Sequence, residues 1–235
     1  MKLALENIGH AFLGRTVFEN VNLTLNTGEV VALIGPSGCG KTTVLQIAAG
    51  LIEPIRGRVR RAYQRHAVVF QEPRLLPWMT ARDNIAYGLR AGGTGRALRN
   101  EIAERRATEV GLHIRDLQKY PAELSGGMRK RVGLARAIAG RPEVILYDEP
   151  TTGLDPVTAD TINELIVNLN QKIHATSIAV THDMASAFRI GHRIVMLSRG
   201  KIVFDGTPEQ IQRSNDPMVR QFIEGRSEGP LTRAV

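Results

Sequence analysis

Gly35-Pro36-Ser37-Gly38-Cys39-Gly40-Lys41-Thr42 has the spacing G-x-x-x-x-G-K-[ST]. Glycines let such a loop turn inward so that its N–H groups surround phosphate oxygens. A helix starting at the loop's end adds partial positive charge. Lys41 is then placed to neutralise β- and γ-phosphates, and the Thr42 hydroxyl to ligate Mg²⁺. Cys39 reads first as a small residue that fits the loop. The nearby amide dipoles and Lys41 would also lower its thiol pKa, which predicts inhibition by alkylation and protection by ATP. Val144-Ile145-Leu146-Tyr147-Asp148-Glu149 is an apolar run ending in two carboxylates. At the C-terminal end of a parallel strand, Asp148 would hold Mg²⁺ and Glu149 would act as general base toward an attacking water. Acidic residues often simply end strands, so it is the pairing with loop 35–42 that carries this reading.

A third device lies between them. In Leu124-Ser125-Gly126-Gly127-Met128, Ser125 is a good N-cap and the two glycines allow close backbone approach. The plainer reading is a capped helix in a lobe. The sharper one is a second anion-binding helix N-terminus. One nucleotide gains little from two such devices on one chain, but a two-fold dimer uses both, each Ser125 end closing over the ATP on the other copy's Lys41 loop.

The elements that must position these residues follow from periodicity. Short apolar runs bounded by turn residues predict buried strands at residues 30–34, 67–70, 144–147, 177–180 and 194–197. Ile162, Leu165, Ile166, Leu169 and Ile173 form one helical face between two of them. Strands alternating with helices imply a mostly parallel sheet covered on both faces. Residues 74–141 lack strand signals and read as a helical lobe inserted into that core, with a flexible surface loop at 91–95. Ser198-Arg199-Gly200-Lys201 reads as a late hairpin, and Thr207-Pro208 and Asp216-Pro217 each start a short helix. The polar tail 226–235 is expected to be loosely held.

Composition narrows the class. With 235 residues the chain suits one domain or two tightly joined ones, and one cysteine excludes an intrachain disulfide or a Cys-rich zinc site. Its longest apolar stretch, residues 44–52, is far short of the ~20 residues a spanning helix needs, and the N-terminus lacks a signal peptide's apolar region. Any membrane role is therefore expected to come through a partner. The net charge of +8 is concentrated in Arg56, Arg58, Arg60, Arg61 and Arg65 and in Arg96, Arg99, Arg105 and Arg106. These read as a solvated basic surface. No zinc finger, RNP-type aromatic box or heptad-bearing basic region accompanies them, so no nucleic acid is expected.

The order of loop 35–42, "LSGG" 124–127, "LYDEP" 146–150, "LDP" 154–156 and "THD" 181–183 resembles the ATP-binding-cassette (ABC) ATPases over residues 2–225. The resemblance implies an α/β fold: a P-loop NTPase (RecA-like) parallel-sheet core with an N-terminal antiparallel β region and an inserted α-helical lobe. The core would comprise residues 1–73 and 142–225, and the lobe residues 74–141. It implies ATP hydrolysis with ATP and Mg²⁺ as cofactors and a dimer around two ATP molecules. The nucleotide contacts it implies are Gly35, Ser37, Gly38, Cys39, Gly40, Lys41, Thr42 and Thr43, with Phe12 as the aromatic stacking on adenine. Gln71 looks like the residue near Mg²⁺ and the attacking water, and joins Thr42 and Asp148 as a metal contact. His182 looks like the histidine touching the γ-phosphate, and Asp155 like a contact across the dimer. Ser125, Gly126 and Gly127 would face the partner's ATP. Met128 departs from the pattern, since many members carry glutamine there.

The same resemblance implies a separate permease at the membrane, a periplasmic or membrane-linked substrate-binding protein, and a place on the cytoplasmic face of the bacterial inner membrane. Residues 68–89 resemble importers of the nitrate, sulfonate and taurine group, and Arg74, Leu75, Leu76, Pro77 and Trp78 offer a surface suited to a partner helix. Segments 126–139, 147–162 and 216–231 look more like ATPases driving phospholipid traffic at the bacterial envelope. The coupling segment favours the importer reading. ABC ATPases acting on DNA or ribosomes carry a coiled-coil insertion or two cassettes, and neither is present here.

Overall fold

Four apolar strands of about five residues alternate their side chains between two cores, and that alternation sets the architecture. In the computed structural model, which describes residues 1–232, a six-stranded sheet has the order β5-β6-β7-β3-β8-β9. Its strands are β3 (Val30–Ile34), β5 (His66–Val69), β6 (Val144–Asp148), β7 (Thr176–Val180), β8 (Arg193–Ser198) and β9 (Lys201–Gly206). Only β9 runs antiparallel, through the expected 198–201 hairpin. Val31, Leu33, Val144, Leu146, Ile178, Val180, Val195 and Leu197 point to one face, where helix α1 (Lys41–Ala49) and a smaller sheet cover them. Ala32, Ile34, Ile145, Tyr147, Ala179, Ile194 and Met196 point to the other, under helices α5 (Pro156–Ile173), α6 (Met184–Ile190), α7 (Pro208–Gln212) and α8 (Pro217–Ile223). Ile162, Ile166 and Leu169 are the buried stripe of α5, as their spacing predicts.

The smaller sheet, β2-β1-β4, is antiparallel: β1 (Leu3–Phe12) pairs with β2 (Arg15–Leu25) and β4 (Arg56–Arg61). The first arginine cluster is thus partly an edge strand. Arg56, Arg58 and Arg60 are exposed, Arg60 lies 3.1 Å from Glu6, but Arg61 does not belong to a solvated surface. Its guanidinium donates to the carbonyls of Ile47 (2.6 Å) and Ala48 (3.2 Å), neutralising the C-terminal end of α1.

The inserted lobe holds α2 (Ala81–Ala91), α3 (Arg96–Glu109) and α4 (Gly126–Ala139), with two short 3₁₀ turns before α4. Loop 92–95 is exposed except for Thr94. Arg106 of the second cluster is buried, against the expectation of a solvated face, and pairs with Glu109 at 2.6 Å. Of the tail, Leu231 packs against the α8 core and its N–H donates to Gln221 Oε1 (2.7 Å), while Arg199 Nη2 donates to the Pro230 carbonyl (2.6 Å). Residues 233–235 of the expected loose tail lie outside the described residues.

Candidate nucleotide site

Parallel register brings three strand ends level. Leu33 pairs with Val180, and Val180 with Asp148. The residues that follow, Gly35, Glu149 and His182, therefore leave the sheet at one edge, and Gln71 joins them two residues beyond Val69, the partner of Tyr147.

The loop from β3 to α1 is glycine by necessity at two points. Gly35 has φ +145°, and a Cβ there would lie 2.0 Å from the Leu197 carbonyl oxygen. Gly40 has φ +102°, and its Cβ would lie 2.8 Å from the Val17 and Phe18 side chains of β2. No side chain caps the N-terminus of α1, so its first N–H groups are left for an anion. Lys41 is only 6% exposed; its ammonium donates to the carbonyls of Gly35 (2.7 Å) and Pro36 (2.9 Å) and so lies across the loop.

Cys39 does not carry the acidic thiol expected of it. It is buried, and burial pushes its pKa up by more than Lys41 and the local amides lower it.

Thr42 Oγ1 donates to Asp148 Oδ1 at 3.1 Å. Burial, with Glu149 alongside, raises the Asp148 pKa against the lowering effects of Thr42 and Lys41. A half-buried carboxylate beside a hydroxyl is the hard oxygen donor set a divalent cation takes, and a cation would offset the cost of burying that charge. Among the described residues there is no cluster of three or more His, Cys, Asp or Glu that could hold a metal alone.

Glu149 adopts φ +46°, which turns its side chain away from the strand direction. Its N–H donates to the Val180 carbonyl (3.0 Å), and its Oε2 accepts from Thr152 Oγ1 (2.9 Å) and lies 3.3 Å from His182 Nδ1. His182 does not cap the following helix. Asp183 does so, accepting from the N–H groups of Ala185 and Ser186, which leaves the imidazole to the carboxylate. Gln71 is exposed, and the atom the protein holds is its carbonyl, which accepts from Lys130 Nζ. Phe12, half exposed at the end of β1, packs edge-on against His10 at 4.7 Å between ring centroids. It stands on the same hairpin whose second strand abuts Gly40.

Ser125 and Asp155 are elsewhere. Ser125 caps α4 by accepting from the Met128 N–H (3.2 Å), and Asp155 caps α5 by accepting from the Thr158 N–H (3.0 Å); the Thr158 hydroxyl, then its N–H, hold the Asp155 carboxyl below the usual range. Gly127 is where the two helices approach, since a Cβ there would lie 3.0 Å from Thr158 Cγ2. Ser125, Gly126, Gly127 and Asp155 line one cleft of about 590 Å³ that contains no residue of loop 35–42. The chain thus carries two separate anion-ready places.

Sequence reasoning missed Thr152, Lys130 and Arg136. Lys130 and Arg136 are cations six residues apart on α4 with Gly133 between them. Each lies three residues from Gly133, so the three follow one i, i+3 row along the helix.

Known proteins match this architecture. The ABC transporter family (ABC_tran) matches residues 18–152. The taurine import ATP-binding protein TauB of Escherichia coli O157:H7 is 38% identical, over 91% of this chain and 84% of that protein. The aliphatic sulfonates import ATP-binding protein SsuB 1 of Rhizobium johnstonii is 40% identical, over 86% and 76%. The dimeric ATP-binding cassette MJ0796, solved in a post-hydrolysis state with ADP and Pi, superposes with a TM-score of 0.78 at 31% identity, over 87% of this chain and 98% of that one. With the phosphate loop, the strand-end carboxylates and the glycine-tipped α4 arranged as described, the chain belongs to the ABC transporter family and is one of its ATP-hydrolysing nucleotide-binding domains.

Proposed function

We propose that two copies of this chain sandwich two ATP molecules and drive import of a small sulfonate-like solute through a separate permease, from the cytoplasmic face of the bacterial inner membrane. The observation that carries the dimer is the separation of the two anion-ready places. Loop 35–42 and the Ser125–Asp155 cleft share no lining residue, so one triphosphate meets both only when two chains face each other. The dimeric MJ0796 cassette supports it. The solute class rests on the taurine and sulfonate relatives and on segment 68–89.

In this reading Lys41 moves from the Gly35 and Pro36 carbonyls to the β- and γ-phosphates, joining the amides of residues 35–43 and the α1 N-terminus. Phe12 stacks on adenine. Thr42 and Asp148, with Gln71, would hold Mg²⁺, which when bound neutralises developing phosphate charge. Glu149 takes a proton from the attacking water as its oxygen bonds to the γ-phosphorus and the bond to ADP breaks. His182, beside Glu149, keeps that carboxylate aimed and contacts the γ-phosphate. The partner's Ser125 end, with Gly126 and Gly127, closes the far side.

No described helix is long and apolar enough to cross a membrane. The permease would dock on the lobe, where Met79, Asp83, Tyr87, Arg90, Arg96 and Arg99 line a groove of about 480 Å³ beside Trp78, which is 70% exposed. Of the segment 74–78, Leu75 packs into the lobe core instead.

Glu149→Gln tests the site. It keeps the side chain's shape and removes the base. Hydrolysis falls by about 10²-fold or more, while ATP still binds and the variant runs as a dimer on size-exclusion chromatography with ATP and Mg²⁺. A variant that hydrolyses normally, or stays monomeric with saturating ATP, overturns the proposal.

A further inference from the structure

The opposite edge of the parallel sheet carries a second cleft, of about 580 Å³, that the nucleotide chemistry does not use. β6 (Val144–Asp148) starts one residue after Glu143, which lines this cleft, and ends at Asp148 at the nucleotide site. That is about 15 Å at ~3.3 Å per residue, so the two places are distinct. Lys2, Arg65, Arg105, Arg106, Arg141 and Lys172 line it. Only Glu109 and Glu143 oppose them, leaving four positive charges uncompensated. Lys2 is taken by Glu143 (2.6 Å), and both Lys172 (2.9 Å) and Arg106 (2.6 Å) by Glu109. The side chains of Arg65, Arg105 and Arg141 make no ion pair or hydrogen bond among the described residues. Arg106 is 5% exposed, yet its Nε–H is buried without an acceptor. A buried donor left open in a cleft of net positive charge is a group an oxyanion completes, and guanidinium forks match such oxygens.

We propose that this cleft binds a small, multiply charged oxyanion of the phosphate class. Arg105 and Arg106 come from α3 of the lobe, Lys2, Arg65 and Lys172 from the core, and Arg141 from the link between α4 and β6. The anion therefore bridges lobe and core, at the end of the molecule away from the hydrolysis site. The excess of positive charge in its walls focuses the field there, and binding weakens steeply as salt rises.

Inorganic pyrophosphate titrated calorimetrically at low salt is the direct probe, run on wild type, Lys41→Ala and the double variant Arg105→Ala/Arg141→Ala. Both substituted arginines are exposed, so the double variant keeps its fold, checked by an unchanged melting temperature. Lys41→Ala shows a saturable 1:1 event, wild type shows the same event beside any binding at loop 35–42, and the double variant weakens that shared event at least tenfold. Sedimentation with phosphatidylglycerol vesicles runs in parallel. Vesicle binding lost in the double variant, without a pyrophosphate event, keeps the oxyanion chemistry and assigns it to a lipid headgroup. The proposal is overturned if neither probe's binding depends on Arg105 and Arg141, or if Lys41→Ala abolishes the pyrophosphate event.

Discussion

Lys41 and Cys39 sit two residues apart in one loop and meet opposite fates. Lys41 is buried but satisfied, its ammonium held by two carbonyls that a phosphate must outbid. Lys41→Ala removes hydrogen bonds from a charged donor, each worth about 1.5–3 kcal/mol. ATP binding is therefore expected to weaken about tenfold to a hundredfold per bond lost, measured with a fluorescent ATP analogue; an unchanged Kd would place the phosphates elsewhere. Cys39 is neighbour to the same cation, but burial outweighs it and raises the thiol's pKa above its usual value. N-ethylmaleimide at neutral pH is thus expected to label the folded protein far more slowly than the urea-unfolded chain, with or without ATP. Labelling at the unfolded rate would show the thiol to be exposed and ionised.

At the scale of elements, α4 does more than carry Ser125. Lys130, Gly133 and Arg136 form one stripe along it. Lys130 donates to the Gln71 carbonyl, Arg136 to the carbonyls of Pro73 and Arg74, and Gly133 lets the helix lie against Pro73, where a Cβ would stand 3.3 Å from Pro73 Cβ. Burial lowers the pKa of both cations, so their hydrogen bonds have to repay a desolvation cost. The helix that presents Ser125 is thereby tied to the segment that presents Gln71. Gly133→Ala gains about 1 kcal/mol of helix propensity against mild crowding and is expected to be near neutral. Gly133→Val drives a branched side chain into Pro73 and is expected to cost about 1–3 kcal/mol, read from urea denaturation. Equal midpoints for the two variants would show that the contact is loose.

Across the whole molecule, the proposed function uses three separate surfaces: the strand-end edge for the phosphates, the Ser125–Asp155 cleft for a second copy, and the lobe groove beside Trp78 for the permease. A large exposed aromatic next to a groove is where docking energy concentrates. Trp78→Ala is expected to leave ATP binding and the Glu149→Gln dimer intact while the permease no longer co-purifies from solubilised membranes. Retained co-purification would move the docking surface away from the lobe.

The residues proposed to bind phosphate stand out in the sequence because their constraint is local. A glycine where φ is +145°, a lysine and a threonine at fixed offsets, and carboxylates at the end of an apolar run each declare themselves within a few residues. The buried strands β3, β6, β7 and β8 were legible for the same reason, since both faces are covered and the apolar runs are continuous. The pairing order of those strands, the use of arginines in β4 as an edge strand with Arg61 capping α1, the burial that makes Cys39 inert, and the grip of α4 on residues 71–74 were decided only in three dimensions. Each depends on which distant groups share a low-dielectric neighbourhood, and charge, pKa and hydrogen-bond partner are set there rather than by sequence neighbours.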